Sequence, residues 1–178
     1  MADTIRSIAE LDTLLADNVD GGISPQDIRD MMVSQMVHAE IGSGAKAAIT
    51  LTGTNYRTLD LTVAGSVERG MNADPANKII AGVPVRMKAI VHCEVCFRGA
   101  QNTAYEFSVF RNPLTTPVQQ YRLTRTLMPT AAADIVAHSW STSLQLEQGD
   151  ALQFGVKGNN ATFELLFAVL RVQRIGVE

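Results

Sequence analysis

Residues 139–156 read Ser-Trp-Ser-Thr-Ser-Leu-Gln-Leu-Glu-Gln-Gly-Asp-Ala-Leu-Gln-Phe-Gly-Val. Trp140, Thr142, Leu144 and Leu146 recur at every second position, with Ser139, Ser141, Ser143 and Gln145 between them. A strand sends successive side chains to opposite faces, so this spacing predicts a β-strand with one buried and one polar face. Trp140 could stack on a sugar, but its place in this alternation favours burial. Gln148-Gly149-Asp150 then marks a turn, and Ala151–Val156 resumes as a strand.

The pattern extends in both directions. Downstream, Lys157–Asn160 (KGNN) predicts a tight hairpin, and Thr162–Gln173 a last strand that is apolar on both faces. Upstream, Asp134–Leu146, Tyr121–Met128, Thr103–Phe110, Met87–Phe97, Ile79–Val85, Thr58–Gly65 and Ala48–Thr54 are strand-like. In Thr103–Phe110, Tyr105, Phe107 and Val109 share one face. Gly70–Lys78 and Arg111–Pro117 read as loops. Strands at short spacing without helical patterns between them predict a sandwich or barrel.

The first 44 residues follow another period. Ile5, Ile8, Leu11, Leu14 and Leu15 mark one helix face, and Asp17–Gly22 breaks it. Ser24-Pro25-Gln26-Asp27 then opens a second helix: a capping hydroxyl, a proline fit for the first turn, and an acid placed to close a capping box. Ile28, Met31, Met32, Gln35 and Met36 follow on one stripe, and Gly42-Ser43-Gly44 reads as a joint. The expected organisation is a helical arm over residues 1–44 and a β domain over 45–178. The methionine stripe suits either packing on the β domain or an adaptable docking surface. The joint behind it favours docking.

Composition narrows the function. The chain of 178 residues is 46% apolar with a net charge of −3, and its Lys and Arg residues are scattered singly. Nucleic acid is therefore not an expected partner. No stretch has a membrane span's length of apolar residues, and the start lacks a signal-peptide core, so a protein made in the cytosol is expected. His92-Cys93-Glu94-Val95-Cys96 contains a C-x-x-C pair. Within a strand, however, Cys93 shares a face with Val91, Val95 and Phe97, and Cys96 with His92, Glu94 and Arg98. Two thiols on opposite faces share neither a metal nor a simple disulfide. His38, His92 and His138 form no metal-ligand spacing, and no nucleophile elbow or phosphate-cradling glycine motif occurs. Neither catalysis nor a cofactor is expected.

Two resemblances add to this reading. Ser139–Val156, with the apolar strand Phe163–Val172, resembles the jelly-roll sandwiches of the tumour necrosis factor and C1q type. Asp20–Asp30 (DGGISPQDIRD) is similar to a segment near the start of tailed-bacteriophage virion proteins. Together they imply a jelly-roll β-sandwich with a short helical N-terminal arm, in a homotrimeric capsid decoration or cement protein or a short head fibre. They imply attachment to the major capsid protein or another virion protein, and residence in the virion after synthesis in the host cytoplasm. The anchoring residues would be Ile28, Met32 and Met36, and the trimer contacts Phe163, Leu165, Phe167 and Val169. The alternative is a receptor- or carbohydrate-binding module of a tail fibre or spike, with a host-surface glycan as partner. The scarcity of aromatic residues, 6% of the chain, disfavours it.

Overall fold

A computed structural model describes residues 6, 10, 11, 13, 23–35, 37–53, 55–61, 68, 69, 71–74, 78–82, 86–111, 124–131, 134–159 and 161–177. Glu10, Leu11 and Thr13 are helical, and the helix α1 (Pro25–Gln35) follows them and precedes twelve strands among the described residues. Sheet A holds β10 (Ile135–Leu146), β7 (Met87–Gly99), β12 (Ala161–Val177), β1 (His38–Ser43) and β4 (Glu68–Arg69) in that order, with β2 (Ile49–Leu51) also on β12. Sheet B holds β5 (Met71–Asp74), β6 (Lys78–Ala81), β11 (Ala151–Gly158), β8 (Tyr105–Arg111) and β9 (Arg125–Leu127), with β3 (Arg57–Thr58) also on β11. Every pairing is antiparallel. From β7 onward the chain passes between the sheets at β7–β8, β9–β10, β10–β11 and β11–β12, so the sandwich is wound from both sides at once.

The inward faces meet in an aromatic centre. Phe97 lies 5.0 Å from Tyr105, 5.2 Å from Phe107 and 5.4 Å from Phe163, centroid to centroid, all tilted or edge-on as ring quadrupoles prefer. Trp140 is buried beside them, edge-on to Phe154 at 5.6 Å. Tyr105 would strand a polar oxygen in this centre, but its hydroxyl donates to the Thr162 carbonyl at 2.6 Å and accepts from the Ala100 amide at 2.7 Å. Its ring occupies the space a side chain at residue 99 would need: a Cβ on Gly99 would fall 2.5 Å from it.

The Gly-Asp turn earns its place geometrically. Gly149 adopts φ +85°, open to glycine at no steric cost. Its amide bonds the Ala81 carbonyl at 2.8 Å, and the Asp150 carbonyl accepts the Ala81 amide at 2.8 Å. The Asp150 carboxylate accepts the Glu147 amide at 2.8 Å and pairs with Arg111 at 2.6 Å. The turn thus ties the end of β10 to sheet B, where β11 must begin.

Three expectations need correction, and a fourth is only partly described. The boundary after residue 44 falls too late: His38–Ser43 is β1, paired along its length with β12 from His38↔Gln173 to Ser43↔Ala168. Gly42 and Ser43 are buried ladder members, so Gly-Ser-Gly is not a joint there. Within Gly70–Lys78, strands β5 and β6 pair from Met71↔Ala81 to Asp74↔Lys78, cross-strand pairing outweighing loop-like composition. The expected hairpin at Lys157–Asn160 is not formed, because β11, which includes Lys157 and Gly158, and β12 lie in different sheets; Asn160 lies outside the described residues. In the expected strand Tyr121–Met128, residues 121–123 lie outside the described residues, and β9 covers Arg125–Leu127.

Candidate assembly surfaces

The four residues expected at a subunit contact do not share a face. Between Leu165 and Phe167 the register of β12 on β7 slips by one, with Leu166 as the extra residue. A bulge inverts the alternation beyond it. Phe163 and Leu165 therefore point inward and are buried in the core. This corrects their assignment: they face the core, not a subunit packed on the outer face of sheet A. Phe167 and Val169 point outward. Phe167 is 43% exposed, while Val169 is buried.

The outer face of sheet A extends from Phe167 in rows set by register. Ala137, Cys96 and Phe167 form one row; Ser139, Glu94, Val169 and Gly42 the next; Ser141, His92, Arg171 and Glu40 the third; Ser143, Ile90, Gln173 and His38 the fourth. The third row is cross-linked. The imidazole of His92 lies 2.8 Å from the Ser141 hydroxyl through Nδ1 and 3.0 Å from Glu94 through Nε2. Arg171 Nε donates to Glu40 at 2.5 Å. At one end, Arg98 pairs with Glu164 at 3.4 Å. Ile90, Ile135, Phe167 and Ile175 stand exposed around this polar band. The sequence reading missed Ile90, Ile135 and Ile175. Ile135 and Ile90 were open to discovery, since each falls out of phase with the inward residues of its own strand.

The second surface is α1. The expected cap is present: Ser24 Oγ accepts the Asp27 amide at 3.2 Å, and the Asp27 carboxylate accepts the Ser24 amide at 2.8 Å and hydroxyl at 2.7 Å. These bonds, the hydroxyl's first, hold Asp27 below its ordinary pKa. The helix is seated by its polar side. Asp30, only 1% exposed, accepts Arg6 Nε at 2.8 Å and Gln26 Nε2 at 2.7 Å. Arg174, buried on β12, donates to the Arg6 carbonyl at 3.5 Å, and burial lowers its pKa. Ile28 and Met32, one turn apart, face solvent, as does Ile23 just before the helix. Met36, the third expected anchoring residue, lies outside the described residues, as do Ile5, Ile8, Leu14 and Leu15 of the first expected helix; Leu11 is described and buried.

The cysteines fall as their spacing requires. Cys93 lies in the core, where desolvation raises its pKa far above the usual thiol range, while Cys96 lies on the outer face beside Phe167. His92 is on that outer face, His138 stacks on Trp140 at 5.7 Å on the other side of the sheet, and His38 begins β1. The three histidines do not converge.

No protein-family model and no curated protein matches this chain. Among solved structures, the chain is similar to the Eiger TNF of S. frugiperda, with a TM-score of 0.53 and 10% identity over 81% of this chain and 96% of that one. At that identity the likeness speaks to fold. The two antiparallel sheets, their order and this neighbour together make the chain a mainly β, tumour necrosis factor-like jelly-roll sandwich.

Proposed function

We propose that this chain is a structural protein of a tailed-bacteriophage virion, a capsid decoration or cement protein or short head fibre. In this reading it trimerises through the outer face of sheet A and attaches to the shell through α1. The observation that carries the reading is where apolar surface is left uncovered. Among the described residues, every exposed large apolar side chain except Met128 lies on the outer face of sheet A or on and just before α1. Exposed apolar residues gathered on one surface mark an interaction site, whereas scattered ones need no explanation. Two such surfaces on one small domain suit a protein that contacts copies of itself on one side and a particle on another. The Asp20–Asp30 segment, similar to virion proteins, is the second support. The polar band of His92, Glu94, Arg171 and Glu40 fits an interface whose register is set by charge.

Electron cryomicroscopy of the particle tests the reading directly. Many copies in groups of three on the shell are expected. A few copies at a tail tip would favour the receptor-binding alternative, and absence from particles would end the proposal. In solution, light scattering should return three times the chain mass of 19.2 kDa. Ile28→Asp with Met32→Asp should abolish attachment at unchanged mass.

A further inference from the structure

A cavity lies at one edge of the sandwich. β2 belongs to sheet A and β3 to sheet B, and residues 52–56 connect them. Beneath this edge the cavity measures about 290 Å³. Its floor is the core itself: Leu59, Val156, Phe163 and Leu165, all buried. Its rim is charged. Lys46, whose amide bonds the Leu165 carbonyl of sheet A at 2.8 Å, reaches across to Asp60 at 3.1 Å. Asp60 follows Leu59, whose amide bonds the Phe154 carbonyl of sheet B at 2.8 Å. The ion pair therefore spans the mouth from one sheet to the other. Arg57, exposed on the same rim, has no ion pair with any described residue. Arg57 thus offers a guanidinium at the mouth beside the Lys46–Asp60 pair.

We propose that this cavity binds a small amphipathic monocarboxylate, its aliphatic tail on Leu59, Val156, Phe163 and Leu165 and its carboxylate at Arg57. The volume sits near the lower end of ligand pockets, which suits a tail of about eight carbons. An apolar floor with one convergent cation is the usual division of labour in such sites: area supplies affinity, and charge fixes orientation. An arginine fork matches a carboxylate bidentately. Each buried methylene adds about fourfold in affinity. The cavity opens on the core side of β12, opposite the outer face that carries Phe167, and the proposal does not depend on the proposed function.

Isothermal titration of the full chain with sodium octanoate tests it. One saturable site per chain is expected, with sodium hexanoate binding about fifteenfold more weakly for its two missing methylenes. Heptyltrimethylammonium, with the same seven-carbon tail and the opposite charge, should not bind. Arg57→Gln should weaken octanoate about tenfold or more, and Ala47→Trp, placed on the exposed rim, should block the mouth. Both variants are expected to melt like the parent without ligand. Should Ala47→Trp itself lower melting, Arg57→Gln decides, since it leaves the cavity open. No saturable binding at millimolar octanoate, equal binding of the cation, or binding indifferent to Arg57→Gln would overturn the proposal.

Discussion

Among the described residues, an outward aromatic of sheet B is covered by its own chain, and the outward apolar residues of sheet A are left exposed. On sheet B, Phe110 points outward yet is buried, because Tyr56 lies edge-on against it at 4.8 Å. Tyr56 is in turn held by a hydrogen bond from its hydroxyl to Glu106 and by Lys157, whose ammonium lies 4.7 Å above its ring and 3.0 Å from Glu106. Gly155 leaves the room: a Cβ there would fall 2.8 Å from the Phe110 ring. On sheet A, Phe167, Ile90 and Ile135 also point outward, and no described side chain covers them to the same degree. An outward apolar residue gains nothing from folding unless something covers it. Sheet B meets that need at Phe110 with its own chain, while on sheet A the proposed assembly would meet it with another molecule.

The largest expected effect breaks the face outright. Deleting residues 1–44 removes β1 from between β12 and β4, with Val37, Ala39 and Ile41 of the core. Loss of cooperative unfolding in circular dichroism is expected. A truncated chain that melts like the parent would show β1 to be dispensable. Next come the two halves of β12. Phe163→Ala should cost about 3–5 kcal/mol in denaturant unfolding, the usual range for a buried aromatic. Phe167→Ala, measured on the monomer, should stay within about 0.5 kcal/mol. Equal costs would mean that the bulge does not divide the strand. Phe167→Asp should then reduce the scattering mass towards a single chain while the monomer stays folded.

These halves also show what could be read in advance. Period-two spacing located the strands of the aromatic centre, and the Gly-Asp turn and the Ser24–Asp27 cap were legible because each rests on residues close in sequence. The bulge at Leu166 was not legible. Phe163, Leu165, Phe167 and Val169 keep perfect alternation, and the slip exists only in the pairing with β7. The seating of α1 was hidden for a similar reason: Asp30 meets Arg6, which in turn meets Arg174, 144 residues further along the chain than Asp30. Apolar spacing in a helix predicts which side is buried only when burial is apolar, and here an ionic cluster reverses it.

A smaller effect separates the faces of β7. Cys93 and Cys96 differ in position by three residues and so in face. Native protein should leave Cys93 unmodified by a thiol reagent, because both burial and a raised pKa suppress the thiolate. Cys96 should react in a dissociated Phe167→Asp variant and be protected in the assembled protein. Modification of Cys93 at the same rate as Cys96 would contradict the division of faces.

The smallest expected effect lies at the start of α1. Ser24→Ala removes a hydroxyl that both accepts the Asp27 amide and donates to its carboxylate, and should cost about 1 kcal/mol of helix stability. The same bonds set a pH dependence whose sign follows from linkage. Asp27 has a folded pKa below its ordinary value of 3.8, so the folded state prefers the ionised form. The contribution is present above that ordinary value and is lost as pH falls through the lower folded value. Hydrogen exchange of the α1 amides should therefore quicken below about pH 4 more than exchange in the core strands. Asp27→Asn should remove that difference while leaving exchange in β7 and β12 unchanged. If the α1 amides instead lose protection together with β12, then the cluster of Asp30, Arg6 and Arg174, rather than the cap, holds the helix to the sandwich.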